Sequence, residues 1–329
     1  EDAQNREKFG ERWKVSLPDT AGLTALEMIE QAAAGKIKGM LIVGENPVAG
    51  FPSPSLVKKA LASLEFLVVV DMFSTETAKL ATVVLPAASF AEKEGTFTNF
   101  EGRVQQINKA VKPVGASQPD WQIILWLAEA MNSPMPYNSP RQVMNEIEEL
   151  VPFYRHTKPH TSLEKEELEW AEPDSGSMER RRLYKGLFPS GFWRFSPVQY
   201  NPRPVNPGDG YPLTLVTGSV LPHLGSGTRS QMASRLKRFS PHSWVETTKA
   251  DASSNGFSDG DDVRVVSPAG AVTTTIRITH TLPAGTLFMP ISFPESPVNA
   301  LFDLVLDART KAPSFKSCAV RLERINNDD

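Results

Sequence analysis

The residues best able to do chemistry sit in four short segments rich in glycine, hydroxyl or charged side chains. Gly44-Glu45-Asn46-Pro47 follows one apolar run and precedes a helix-like stretch. Glycine lets the chain turn closely against a ligand, and the start of the next helix offers free N–H groups to a phosphate. The same four residues also make an ordinary turn. Asp71 closes a second apolar run, with Ser74, Thr75 and Thr77 just beyond it. A carboxylate at such a strand end can accept hydrogen bonds from a ribose or a guanine edge, or the hydroxyls can simply cap the helix that follows. In residues 92–105, Glu92 and Glu94 could form a general acid/base pair. No third catalytic group is near, so surface carboxylates bonded to loop amides are the better reading. Residues 217–230 gather Gly218, Gly225, Ser226, Gly227, Thr228 and Arg229. Such a loop can cradle oxygens with its N–H groups while the guanidinium pairs with phosphate. The GxxxxGK[ST] spacing of a P-loop is absent, and His223 in this loop reads as a structural histidine.

Much chemistry is excluded by what is scarce. One cysteine, Cys318, among 329 residues cannot form an internal disulfide or ligate an iron–sulfur cluster, which usually takes four. The five histidines are scattered, and no HExxH motif occurs. No residue of the chain is expected to be catalytic or to ligate a metal. A net charge of -3 argues against nucleic-acid binding. The apolar runs fall far short of the ~20 residues of a membrane span. Residues 1–17 are polar and carry no signal peptide, and the opening Glu1 reads as a trimmed or incomplete N-terminus. A cytoplasmic location, with membrane association only through a complex, is the expectation.

These segments need a scaffold to position them. Residues 39–44 and 66–71 read as buried parallel strands, and 82–86 as a third. Helices are predicted over 24–34, over 55–64 with Ser55 as N-cap, and over 75–81, with a later one over 120–131. Strand–helix–strand–helix–strand in so short a span is a doubly wound unit. Residues 1–135 are therefore an α/β domain. Residues 136–210, rich in proline, are a crossover linker with one helix over 140–150. Residues 211–329 carry six short strand candidates with turns between them, which suits a small closed barrel.

In order along the chain, the segments resemble the C-terminal half of the molybdopterin oxidoreductases, the dimethyl sulfoxide reductase superfamily. Residues 75–105 look like the family's "TETA…ADVVLPA…E..GT..N.E.R.Q" signature, with Thr82 where Asp is usual. Asp259-Gly260-Asp261-Asp262-Val263-Arg264-Val265 resembles its "DGD.VRV" strand. Residues 288–299 resemble its "FMP.HF.E...N" loop, and 315–320 its "K.CAVRI" end. The resemblance is closest to formate dehydrogenase catalytic subunits and to the molybdopterin-family subunit of bacterial NADH–quinone oxidoreductase.

The resemblance implies an α/β doubly wound domain followed by a double-psi barrel, together holding molybdopterin guanine dinucleotide with molybdenum or tungsten. It implies oxidation of formate to carbon dioxide. The binding set it carries over is Gly44, Glu45, Asn46, Pro47, Asp71, Thr75, Gly95, Asn99 and Arg103, with Gly218, His223, Gly225, Ser226, Gly227, Thr228, Arg229, Asn299 and Lys316 from the barrel. The family's cluster cysteines and its metal ligand belong to its N-terminal half and have no counterpart here. Iron–sulfur or flavin subunits, and that half as the same or a separate chain, are the implied partners. The alternative is a scaffold or electron-transfer part of a respiratory NADH–quinone oxidoreductase, with a vestigial pterin site.

Overall fold

The computed structural model describes residues 3–99, 104–154, 197 and 210–325. In chain order its first elements are α1 (Ala3–Trp13), α2 (Ala25–Ala33), β1 (Gly39–Val43), α3 (Pro47–Gly50), α4 (Pro54–Ala62), β2 (Phe66–Asp71), β3 (Val83–Pro86), β4 (Gly95–Thr98), β5 (Val104–Ile107), α5 (Asp120–Ala130) and α6 (Pro140–Leu150). There follow β6 (Leu213–Gly218), α7 (Ser234–Phe239), β7 (Trp244–Thr247), α8 (Lys249–Ser254), β8 (Asp262–Val266), β9 (Ala271–Ile278), β10 (Thr286–Pro290) and β11 (Ser317–Glu323). The charged run 164–169, the aromatics Phe192, Trp193 and Phe195, and Arg103 lie outside the described residues. The chain forms two compact units: residues 1–22 with 85–200, and 23–84 with 201–329.

The second unit holds both the small sheet and the barrel. Strands β1 and β2 pair in parallel from Gly39↔Phe66 to Val43↔Val70, and the sheet order is β1-β2-β3. Helix α2 starts in a capping box, in which Thr24 Oγ1 accepts the Glu27 N–H and Glu27 Oε2 accepts the Thr24 N–H. Its Leu26, Ile29 and Ala32 recur at helical spacing and are buried. Ile29, Val57, Leu61, Ile42, Leu67 and Val69 form one core between α2, α4 and the sheet. Fully burying each aliphatic side chain stabilises the fold by about 1.5–3 kcal/mol.

Two local expectations are corrected here. Helix α4 begins after Ser53, not after Ser55, and Ser53 makes no side-chain cap bond. Pro54 at the first helical position explains this, since it arrives with its φ already set and has no N–H to satisfy. Residues 75–81 do not form an α-helix; only a 3-10 turn, Ala78–Leu80, is present. Thr75 Oγ1 takes the Ala78 N–H, and Thr82 Oγ1 takes the Leu67 N–H. Thr82 also gives its own N–H to Leu67 O, so the chain turns extended at Ala81 and joins β2 before a second helical turn can form.

The barrel closes in the order β10-β6-β11-β8-β9-β7. The β6–β10 and β7–β9 pairs are parallel, and the other neighbours are antiparallel. Alternate residues of each strand point inward, as the period of two demands. Leu213, Leu215, Val263, Val265, Leu287 and Met289 thus fill the interior. Cys318 on β11 packs against this core, and burial pushes its thiol up to about 12.

The first unit contains α1, a β4–β5 hairpin, α5 and α6. Neither the hairpin nor α1 was expected from the residue pattern. Trp13 Nε1 donates to Glu146 Oε1 at 2.9 Å, and Arg12 Nη2 lies 2.8 Å from Glu146 Oε2. Helix α6 matches its predicted span and buries Met144, Glu146 and Leu150. Glu92 corrects another expectation, because it is buried, at 7% exposure. Its two oxygens do bond loop amides, Ser89 N at 2.7 Å and Val114 N at 2.8 Å.

Candidate functional site

In the second unit, the carboxyl ends of β1 and β2 meet loops from the barrel. Gly44 leaves β1 with φ +67, and a Cβ there would meet open space. Glu45 is exposed and Asn46 and Pro47 are buried. Asn46 uses its whole amide on protein partners. Its Oδ1 accepts from Thr77 Oγ1 at 2.7 Å and from Thr77 N at 3.3 Å. Its Nδ2 donates to Glu76 Oε2 at 2.8 Å and to Thr228 Oγ1 at 3.1 Å. An Asn amide has two donor and two acceptor positions, so none remains for a ligand.

Asp71 Oδ1 accepts the Phe73 N–H at 3.0 Å, an Asx turn. Thr75, also buried, is engaged by the 3-10 turn. From the barrel, Gly218 closes β6, and the loop beyond it carries Gly225, Ser226, Gly227, Thr228 and Arg229. Gly225 and Gly227 have φ of +54 and +82. Gly227 is wedged against the next loop, where a Cβ would lie 2.0 Å from Ser292 O. Ser292 Oγ donates to Gly225 O at 2.8 Å, which ties the two loops together. Arg229 and Lys316 are exposed.

His223 is 5% exposed and packs edge-on against Phe293. Its Nε2 lies 2.9 Å from Ser240 O and its Nδ1 3.2 Å from Ser230 Oγ. Nε2 also lies 3.2 Å from Gln231 Nε2, so both ring nitrogens have protein partners. This is a satisfied core histidine, as the sequence suggested.

Asn299 differs from these. Its Nδ2 donates to Ala49 O at 2.9 Å, and its backbone O accepts from Ser53 N at 3.1 Å. Its Oδ1 is buried without a hydrogen-bond partner among the described residues. Asn299 lines a small cavity of about 70 Å³ with Ala49, Lys58, Glu76 and Ser226. A buried unpaired carbonyl costs about 1–3 kcal/mol, so a donor supplied by a ligand would recover that loss.

Of the residues carried over from sequence, Ser226 and Asn299 line this crevice, and Asn46 and Thr228 are joined beside it, whereas Gly44, Asp71 and Thr75 do not line it. Gly95 and Asn99 lie on or beside β4 in the other unit. Lys58, Glu76 and Thr77 belong to the crevice or its supporting bonds and were not singled out as ligands from sequence. Glu76 and Thr77 stood within the "TETA" motif, whereas Lys58 carried no signal beyond its helix.

The Molybdopterin oxidoreductase family matches residues 4–130, and the Molydopterin dinucleotide binding domain matches residues 213–319. The F420-dependent formate dehydrogenase subunit alpha of Methanocaldococcus jannaschii is 40% identical over 96% of this chain and 47% of its own length. The assimilatory nitrate reductase catalytic subunit of Bacillus subtilis is 33% identical over 98% of this chain and 47% of its own length. Acetylene hydratase from Pelobacter acetylenicus shares the fold, with a TM-score of 0.68 at 18% identity, over 98% of this chain and 50% of that one. The chain spans about half the length of these curated relatives. With both family segments in order and this chain aligned to its relatives over nearly its whole length, the chain belongs to the molybdopterin oxidoreductases.

Proposed function

We propose that the chain is the cofactor-binding portion of a molybdenum or tungsten oxidoreductase that converts formate to carbon dioxide. The observation that carries this reading is the unpaired Oδ1 of Asn299, buried where the sheet's carboxyl end meets the barrel loops. Several of the most similar relatives are named formate dehydrogenases, which supports formate as the substrate.

The residues present fit molybdopterin guanine dinucleotide. Gly44 and Gly225 offer turns with positive φ and open space for close approach. In this reading Asp71 and the 44–47 loop hold the guanosine half. Gly218, Ser226, Thr228, Arg229, Asn299 and Lys316 hold pterin and phosphate groups, and Arg229 supplies charge to the phosphates. Asn46, Thr75 and His223, already engaged with protein partners, shape the walls. When bound, the cofactor supplies the metal centre that takes two electrons from formate, leaving carbon dioxide and a proton.

The same proposal includes a double-psi topology for the barrel and a doubly wound sheet completed by the rest of the enzyme. It keeps residues 1–135, 136–210 and 211–329 as the functional divisions. Gly95, Asn99 and Arg103 remain proposed ligands. The iron–sulfur clusters that receive the electrons are held elsewhere, because Cys318 alone cannot bind one. Partner subunits and a cytoplasmic setting belong to the proposal as well. Among the described residues, no helix is long and apolar enough to cross a membrane.

The test is made on the complete enzyme containing this chain. Molybdenum or tungsten, guanine nucleotide and formate-dependent dye reduction are measured together. Arg229→Ala is expected to weaken nucleotide retention by roughly ten- to a hundredfold, as loss of a charged hydrogen bond of about 1.5–3 kcal/mol implies. Absence of metal and nucleotide from the unmutated enzyme would overturn the reading in favour of a scaffold.

A further inference from the structure

Asn46 has no hydrogen-bonding capacity left for a ligand, yet its bonds join three segments of the crevice. They reach the 3-10 turn through Glu76 and Thr77, 30 and 31 positions away, and the barrel loop through Thr228, 182 positions away. The hydroxyl of Thr77 also accepts the Val48 N–H at 3.2 Å, closing the network back on the loop that carries Asn46. Asn46 and Thr77 are 7% and 0% exposed. Hydrogen bonds in such a site are strengthened by the low local dielectric, and a missing partner is costly.

The barrel answers with a matching reach in the opposite direction. Asn299 binds Ala49 O through Nδ2 and accepts the Ser53 N–H on its backbone carbonyl. Two asparagines, one from each side, thus cross the same crevice. They differ in what they leave open, since Asn299 retains an unpaired Oδ1 and Asn46 retains nothing. Thr228, the far end of Asn46's reach, is also 3.0 Å from Ser226 Oγ and directly precedes Arg229.

We infer that Asn46 is a positioning residue that holds the 225–230 loop in register with the 44–50 loop, so that Arg229 and Ser226 are presented to the cofactor at fixed spacing. The inference rests on the cofactor reading above and adds how the two halves of the site are kept aligned. Asn46 acts through Thr228 and touches no ligand itself.

Thr228→Val removes this link together with the contact to Ser226 Oγ, keeping the side-chain shape and leaving the Thr77 bonds intact. Asn46→Ala cuts it from the other end. Two readouts are needed: amide exchange across 225–230 in the chain without cofactor, and guanine nucleotide retention in the complete enzyme. Each variant is expected to speed exchange at 225–230 about five- to tenfold and nucleotide loss by a similar factor. With Ser226 replaced by Ala throughout, so that its contact to Thr228 is already absent, the double variant is expected to be no worse at this loop than Asn46→Ala, since both changes then remove one shared bond. Thr228→Val is expected to keep a melting temperature near the parent's, which separates positioning from general stability. Additive effects, unchanged exchange at 225–230, or unchanged nucleotide retention in both variants would overturn the inference while an unmutated enzyme full of nucleotide upholds the function. An unmutated enzyme without nucleotide overturns both.

Discussion

Asp71 shows how one side chain can serve the turn and the ligand at once. Its Oδ1 holds the Phe73 N–H, while Oδ2 makes no hydrogen bond to a described residue. The preceding Leu67, Val68, Val69 and Val70 are buried, so the carboxylate emerges at the strand's carboxyl end, where ligands of open α/β sheets bind. Two variants separate the roles. Asp71→Ala removes both and is expected to lower stability by about 1 kcal/mol along with nucleotide content. Asp71→Asn keeps the Oδ1 acceptor for the turn but loses the charge and replaces the second acceptor oxygen with an N–H donor. It is expected to melt near the parent yet bind less guanine nucleotide. Full nucleotide in both variants, with a lower melting temperature only for Asp71→Ala, would make Asp71 a turn residue alone.

Among elements, the barrel loops depend on backbone shapes that only glycine adopts cheaply. Gly227 combines φ +82 with a Cβ position 2.0 Å from Ser292 O, whereas Gly44 combines φ +67 with open space. Gly44→Ala is expected to cost about 1–2 kcal/mol from the left-handed backbone alone. Gly227→Ala must also displace the Ser292 backbone and is expected to cost distinctly more by urea unfolding. Equal costs would show that the 225–230 loop yields freely. The strands at 39–43 and 66–70 and the alternation in 262–278 were legible in the sequence, because they depend only on local periodicity, but β1 and β3 are not buried as read: Leu41, Val43, Val83 and Val84 are exposed. The helix read over 75–81 failed because Thr82, bonded to Leu67 through both its N–H and its hydroxyl, draws the chain against β2 directly after the 3-10 turn. The β4–β5 hairpin was hidden because its residues are mostly exposed and carry no apolar alternation. The bonds of Asn46 to Thr228 and of Asn299 to Ala49 span 182 and 250 positions, and no local pattern reports them. Of the motif over 75–105, only Glu76 lines the cavity, and the division between residues that line it and residues that brace it required the fold.

At the scale of the molecule, each compact unit is pinned by a carboxylate that prefers to be charged. In the first unit, the Ser89 backbone amide, and then the Val114 amide, hold Glu92 below the usual glutamate range despite its burial. In the second, the Thr24 backbone amide and hydroxyl, helped by Lys311, lower Glu27 in the capping box of α2. A carboxyl whose pKa is depressed by folding contributes stability above its unfolded value and loses it as pH falls through the folded one. Both units should therefore hold constant stability near neutrality and weaken on the acid side of about 4.3, the ordinary glutamate value. The two sites should differ when neutralised. Gln is a normal partner in a capping box, so Glu27→Gln is expected to change neutral stability little. Glu92→Gln leaves one buried amide facing an N–H donor with a second donor instead of an oxygen, so it is expected to lower stability at neutral pH. It should also remove part of the acid slope, because the group that took up the proton is gone. Melting temperatures from neutral to acid pH for the parent and both variants make the comparison. A Glu92→Gln protein that melts like the parent at neutral pH and keeps the whole acid slope would mean that the Ser89 and Val114 contacts do not support the first unit.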